Sequence, residues 1–183
     1  MDRKTFLRSL LAAGAVFPCC LNPALAESGK CNGTKCQEDA KAVREFLSAF
    51  LRKEEAGMRH DDLVKLMEER GRACCRALDF RQKLIQDSAG DLDKLVELMG
   101  KLVGPENCRR DGQLVTLIYP VTECVCGWSP KRAPTPGDPY CECSKANNQL
   151  LFETVAGKPV HVEVADSPRR HAGAHCKFLI HVS

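Results

Sequence analysis

The chain has 183 residues, with 27 basic and 24 acidic side chains, a formal charge of +3 and 12 cysteines. That near-balance provides no strongly basic face, so nucleic acid and anionic membrane surfaces are not expected partners. A chain this long builds a core without covalent staples, so twelve cysteines exceed what stability requires and some are expected to carry chemistry.

Residues 1–26 read as an export signal. Arg3, Lys4 and Arg8 form a basic start, Ser9 to Phe17 is small and apolar, and Ala24-Leu25-Ala26 gives a small-x-small cleavage site. The apolar part is short and broken by Pro18, Asn22 and Pro23, so it is not expected to span a bilayer. Arg3-Lys4-Thr5-Phe6-Leu7 resembles the twin-arginine export motif, with lysine for the second arginine. The expected location is therefore periplasmic or extracellular. Cys19 and Cys20 would leave with the signal, and the remainder carries 24 basic and 23 acidic residues and ten cysteines.

Residues 27–36 are polar and form an expected leader, in which Cys31 and Cys36 flank an Asn-Gly turn. Residues 37–183 are expected to form one α+β domain, with a helical layer over 37–104 and a β-rich, cysteine-containing part over 112–183. From Gln37, Val43, Phe46, Leu47, Phe50 and Leu51 repeat at the spacing of one helix face, and Gly57 ends that helix. Asp61 or Asp62 caps a second helix with Leu63, Leu66, Met67, Cys74 and Leu78 on its inner side. Adjacent Cys74 and Cys75 point about 100° apart on a helix. Cys74 falls on the apolar side, either as a small core residue or as a thiol reaching a pocket or cluster.

A third helix starts at Asp91, with Leu92, Leu95, Val96, Met99 and Leu102 facing the core, and Gly104-Pro105 stops it. Cys108 falls in the polar connection and reads as a disulfide partner for another loop cysteine. Leu114 to Val121 is nearly all apolar, the pattern of a strand covered on both faces. Lys145 to Gly157 reads as the last helix. Val160, Val162 and Val164 alternate with His161 and Glu163, and Cys176, Phe178, Ile180 and Val182 share one face of a final strand.

Two Cys-x-Cys pairs, Cys124/Cys126 and Cys141/Cys143, flank fourteen residues that include Pro130, Pro134, Pro136 and Pro139. Residues i and i+2 of an extended backbone point to one side. Each pair then offers two sulfurs to a common centre, as a tetrahedral thiolate site requires, with zinc the first candidate and an iron–sulfur centre the second. The rival is a pair of disulfides, for example Cys124–Cys143 and Cys126–Cys141. Trp128 reads as an aromatic anchor for this loop. No nucleophile elbow, phosphate loop, dinucleotide fingerprint or His-Glu-x-x-His motif points to an enzyme.

Cys141-x-Cys143-Ser144, Phe152-Glu153, Gly157-Lys158-Pro159-Val160, Val162-Glu163-Val164, Ser167 and Gly173-Ala174-His175-Cys176-Lys177-Phe178 resemble the end of the vinyl-4-reductase domain family. The resemblance covers roughly residues 141–183. It implies a helical layer on an antiparallel sheet, a small and largely apolar ligand bound between the two layers, and, in sensor members, a structural zinc. By position the zinc ligands would be Cys143 (or Cys141), Glu163, a site near Asp166 or Ser167, and Cys176. The third place holds no cysteine here, so Cys141, Cys124 or Cys126 would have to substitute. Among the histidines, His175 beside Cys176 is the one singled out as a ligand. These readings make the protein an exported binding or sensor module with a cysteine-held metal. The alternatives are a thiol- or metal-dependent redox protein and a disulfide-stapled domain.

Overall fold

In the computed structural model the chain forms two compact units, residues 1–51 and 52–183. The structure describes residues 56–124 and 132–182, together with Glu45, Ala49 and Lys53, which are helical. The export signal, the leader with Cys31 and Cys36, most of the helix expected from Gln37, and the stretch holding Cys126 and Trp128 lie outside the described residues.

The second unit is α+β: four helices and a four-stranded antiparallel sheet, among the described residues. Helix α1 (His60–Ala77) begins after Arg59, so Asp61 and Asp62 sit within its first turn, where their charge suits the N-terminal end of the helix dipole. Its buried side is Leu63, Met67, Gly71 and Cys75, a strict four-residue repeat. The inner face is thus rotated from the expected one. Cys75 is the core residue, Cys74 is half-buried, and Leu66 is partly exposed. Leu78 takes an extended backbone and breaks the helix. Gln82 Nε2 donates to the Cys75 carbonyl at 2.9 Å, satisfying a group that the helix end would leave bare.

Helix α2 (Asp79–Ser88) was not expected from the sequence. It ends in left-handed Ala89 and Gly90. Its Arg81 is buried, donating to the Tyr119 hydroxyl at 2.9 Å and the Asn148 carbonyl oxygen at 3.2 Å. Helix α3 (Leu92–Val103) starts as read: the Asp91 carboxylate accepts from the amides of Asp93 and Lys94 at 2.8 and 3.2 Å. Leu95 and Met99 are buried as expected, whereas Leu102 is 61% exposed. Gly104, at φ +100°, and Pro105 close the helix.

A short 3-10 turn (Pro105–Asn107) leads into β1 (Cys108–Asp111), which pairs with β2 (Leu114–Tyr119) through a two-residue turn containing Gly112 at φ +58°. Cys108 therefore lies on a strand and is buried in the core, not in a loop. Helix α4 (Cys141–Ala156) is followed by β3 (Val160–Asp166) and β4 (Cys176–Val182), giving the sheet order β1-β2-β4-β3. Val115, Leu117, Val160, Val162, Phe178 and Ile180 point inward to meet Leu95, Met99, Leu151 and Phe152. Leu114, Thr116 and Ile118 point the other way and are only half-buried. So β2 alternates, instead of being covered on both faces, because the helices of this unit pack on a single side of the sheet.

Candidate functional site

The expected site rests on Cys141 and Cys143 lying in extended chain with both sulfurs on one side. They occupy instead the first turn of α4. Residues two apart on a helix point about 200° from one another, so the two thiols diverge. Cys141 Sγ lies 3.1 Å from Ser167 Oγ, just past β3. Cys143 turns to α1, where its thiol donates a hydrogen bond to Cys74.

That second contact depends on Gly71. A Cβ there would overlap the Cys143 carbonyl and press on Ala146, so only glycine lets α1 and α4 cross this closely. Asn147 Nδ2 adds a bond to the Gly71 carbonyl at 3.3 Å. The crossing carries Cys74, one turn further along α1, to Cys143.

The environments of the thiols differ sharply. The hydrogen bond from Cys143 is the largest influence on Cys74 and, with the positive charge of Arg70, outweighs the opposing effect of burial, lowering its pKa from 9.0 to about 6. Burial pushes Cys141 up, partly offset by the Ser167 hydroxyl and the Arg170 and Arg169 charges. Burial also raises Cys75, and it takes Cys108 to about 11. The contact with Cys143 thus holds the Cys74 thiol well below its ordinary value, unlike the other three.

The remaining sequence-selected residues divide. Cys176, the first residue of β4, pairs with Tyr119 and points into the core. His175 Nδ1 contacts the Val121 carbonyl at 3.2 Å, and half-buried Cys124 follows three residues later. Asp166 pairs with Lys177, so the end of β3 lies at the same edge, where Ser167 meets Cys141. Cysteines 74, 124, 141, 143 and 176 therefore stand at one end of the unit. Glu163 does not join them. It lies on the outer face of the sheet, 3.2 Å from His181 Nε2 and 3.6 Å from His161 Nε2, whereas Cys176 lies on the inner face. A zinc set of Cys143, Glu163 and Cys176 does not fit that placement. Among the described residues no group of three or more His, Cys, Asp or Glu side chains is placed so that it could hold a metal ion, and no disulfide joins two of the described cysteines.

A buried ionic clamp supports this end, and the sequence reading missed it. Asp138, wholly buried, accepts from Arg169 at 2.8 Å and pairs with Arg132 at 3.2 Å; both guanidinium groups lie over the Tyr140 ring, at 5.7 and 5.8 Å. The same carboxylate accepts from the Tyr140 amide at 3.0 Å, fixing the chain as it enters α4. Arg169 and Arg170 had the composition of a solvated turn. Only the opposing Asp138 and Glu142 reveal them as anchors.

Two surface concavities are evident, one of about 260 Å³ between Val96, Gly100, Pro105 and Cys108, and one of about 540 Å³ beside Met58 and Asp62. The first is bounded by α3 on one side and by Cys108, the first residue of β1, on the other. No helix among the described residues is long and apolar enough to cross a membrane. Comparison with protein-family models, curated proteins and solved structures finds no significant match to this chain.

Proposed function

We propose that the protein is a thiol redox module whose working group is the Cys74–Cys143 pair, acting in the exported compartment that residues 1–26 suggest. The observation that carries this reading is the close crossing of α1 and α4 at Gly71, which sets half-buried Cys74 against Cys143, whose hydrogen bond lowers the Cys74 pKa. Low-pKa, partly accessible thiols are the reactive ones; buried, high-pKa thiols such as Cys108 are inert.

The chemistry is thiol–disulfide exchange with a disulfide substrate. Cys74 thiolate attacks one sulfur of that disulfide, breaking its S–S bond, forming a mixed disulfide and releasing the other half as a thiolate. Cys143, having lost its proton to that leaving thiolate or to solvent, attacks Cys74 Sγ. A Cys74–Cys143 disulfide forms and the second half leaves, so the substrate gains the two electrons that the pair gives up. Alkylation kinetics followed by peptide mass mapping test the reading. We expect labelling of Cys74 to titrate near pH 6, and a disulfide exchange buffer to produce a Cys74–Cys143 peptide lighter by two hydrogens. Labelling of Cys74 no faster than that of a free model thiol at pH 7, or no such disulfide under oxidation, would overturn it.

A second reading, soft-metal binding by the same end of the unit, draws on the gathering of Cys141, Cys143, Cys176 and Cys124 there; Cys126, beyond the described residues, would have to contribute. A small apolar ligand between helices and sheet rests on the family resemblance alone.

A further inference from the structure

Gly71 lies in the interior of α1, where its carbonyl already serves the helical hydrogen-bond ladder. Asn147 on α4, only 8% exposed, nevertheless donates to that carbonyl from Nδ2 at 3.3 Å. An amide that meets a carbonyl must present its nitrogen, so its oxygen is left over. Asn147 Oδ1 is indeed buried and has no hydrogen-bond partner. A bare buried acceptor costs stability, and an apolar side chain of similar volume would not incur that cost. Neither the needs of Gly71 nor those of the core therefore account for an asparagine at this position.

We propose that Asn147 is a positioning residue for the thiol pair, its amide pinning α1 to α4 at Gly71 and so setting the register in which Cys74 meets Cys143. Asn147 stands one turn past Cys143 on α4, and Gly71 stands three residues before Cys74 on α1. Pin and thiol contact thus share one crossing. Apolar contact holds two helices together without fixing how far one slides or turns against the other. A hydrogen bond between thiols does not tolerate such slippage, because it weakens steeply as its angle departs from linear. A short side chain bonded to backbone resists it. Two ion pairs also span the crossing, Arg72–Glu153 at 3.2 Å and Lys145–Glu68 at 3.5 Å, but they join longer, partly exposed side chains that water screens. The part Asn147 plays in exchange chemistry rests on the thiol reading, since without a working pair there is nothing to position.

Iodoacetamide labelling of Cys74 is followed against pH in the full chain and in its Asn147→Leu and Asn147→Ala variants, with circular dichroism and urea unfolding beside it. We expect the labelling midpoint to rise by at least about one pH unit in both variants. Asn147→Leu should unfold at the same urea concentration as the wild type or a higher one, which separates positioning from stability. A wild-type midpoint near 6 that stays unchanged in a folded variant would overturn the role of Asn147 and leave the thiol reading standing. An ordinary midpoint in the wild type itself would overturn both. Loss of the folded spectrum in both variants would also overturn the role of Asn147, since the asparagine would then be holding the fold and not the pair.

Discussion

Cys74 and Cys75 are neighbours in sequence, yet they belong to chemically opposite regions. Cys75 joins the core with Cys108, where burial raises the pKa of both thiols. Cys74 lies at the crossing of α1 and α4, where a donated hydrogen bond outweighs burial and keeps it ionised. One residue along a helix, about 100° of rotation, separates a packing sulfur from a chemical one. Cysteine count therefore says little about function here; what separates the thiols is whether a hydrogen bond outweighs burial, as it does at Cys74 and not at Cys141.

The most damaging way to break that contrast is at the crossing itself. Gly71→Val forces side-chain atoms into the Cys143 carbonyl. We expect a loss of about 3 kcal/mol or more in urea unfolding, because the obstacle is backbone and cannot swing away. The same variant should lose fast Cys74 labelling, since separating the helices removes the Cys143 donor. Native stability in Gly71→Val would show that the helices do not meet as described.

The contrast can next be measured as reactivity. At pH 7 a thiol with pKa about 6 is mostly ionised, while one at about 11 is ionised to roughly one part in ten thousand. The weaker intrinsic nucleophilicity of the low-pKa thiolate returns part of that advantage. A labelling ratio of at least roughly 50 between Cys74 and Cys108 should remain, read by mass spectrometry of short iodoacetamide pulses.

How much of this was legible in the sequence depends on what each element asks of its neighbours. The Asp91 cap, the Gly104-Pro105 stop, and the alternation of β3 and β4 are local, and the α+β architecture followed from them. The α1 face was misread because apolar Leu66 and Leu78 outweighed Gly71, whose burial is visible only once α4 lies against it. Helix α2 and strand β1 were missed: Arg81 does not look like a core residue, and the two-residue Gly112-Gln113 turn between β1 and β2 went unread. The cysteine reading departs from the structure on one point. Cys-x-Cys was read as extended where α4 had already begun, so the sulfurs counted as partners point apart. That Cys74 meets Cys143 is a tertiary fact, with only the Gly71-x-x-Cys74 spacing to hint at it.

Substitution sharpens the contrast on the stability side. Cys108→Ser places a hydroxyl among apolar core side chains and should cost about 2 kcal/mol, whereas Cys74→Ser at a half-buried position should cost less. Chemical denaturation at pH 7 checks both, and equal losses would erase the division between the two regions.

The pH dependence differs in sign between the two regions. The pKa of Cys74 is depressed on folding, so its contribution is fully present above the unfolded value of 9.0 and is lost as pH falls through about 6. The pKa of Cys108 is raised, so its contribution is present below 9.0 and is lost as pH climbs towards about 11. Melting curves of the wild type and Cys74→Ser should therefore converge as pH drops from 9 to 6. Replacing Cys108 by alanine should flatten the alkaline decline instead.

The sheet order has a kinetic consequence. The β1–β2 hairpin closes through two residues, but β2 must then find β4 roughly sixty residues further along the chain. Until that distant pairing forms, Cys108 and Cys176 have no core to enter and remain open to oxidants. Slow closure and quick oxidation would compete, and their relative speed decides whether a newly made chain reaches this fold or is trapped with wrongly joined sulfurs. An inert thiol in the finished molecule is thus a vulnerable one during its folding.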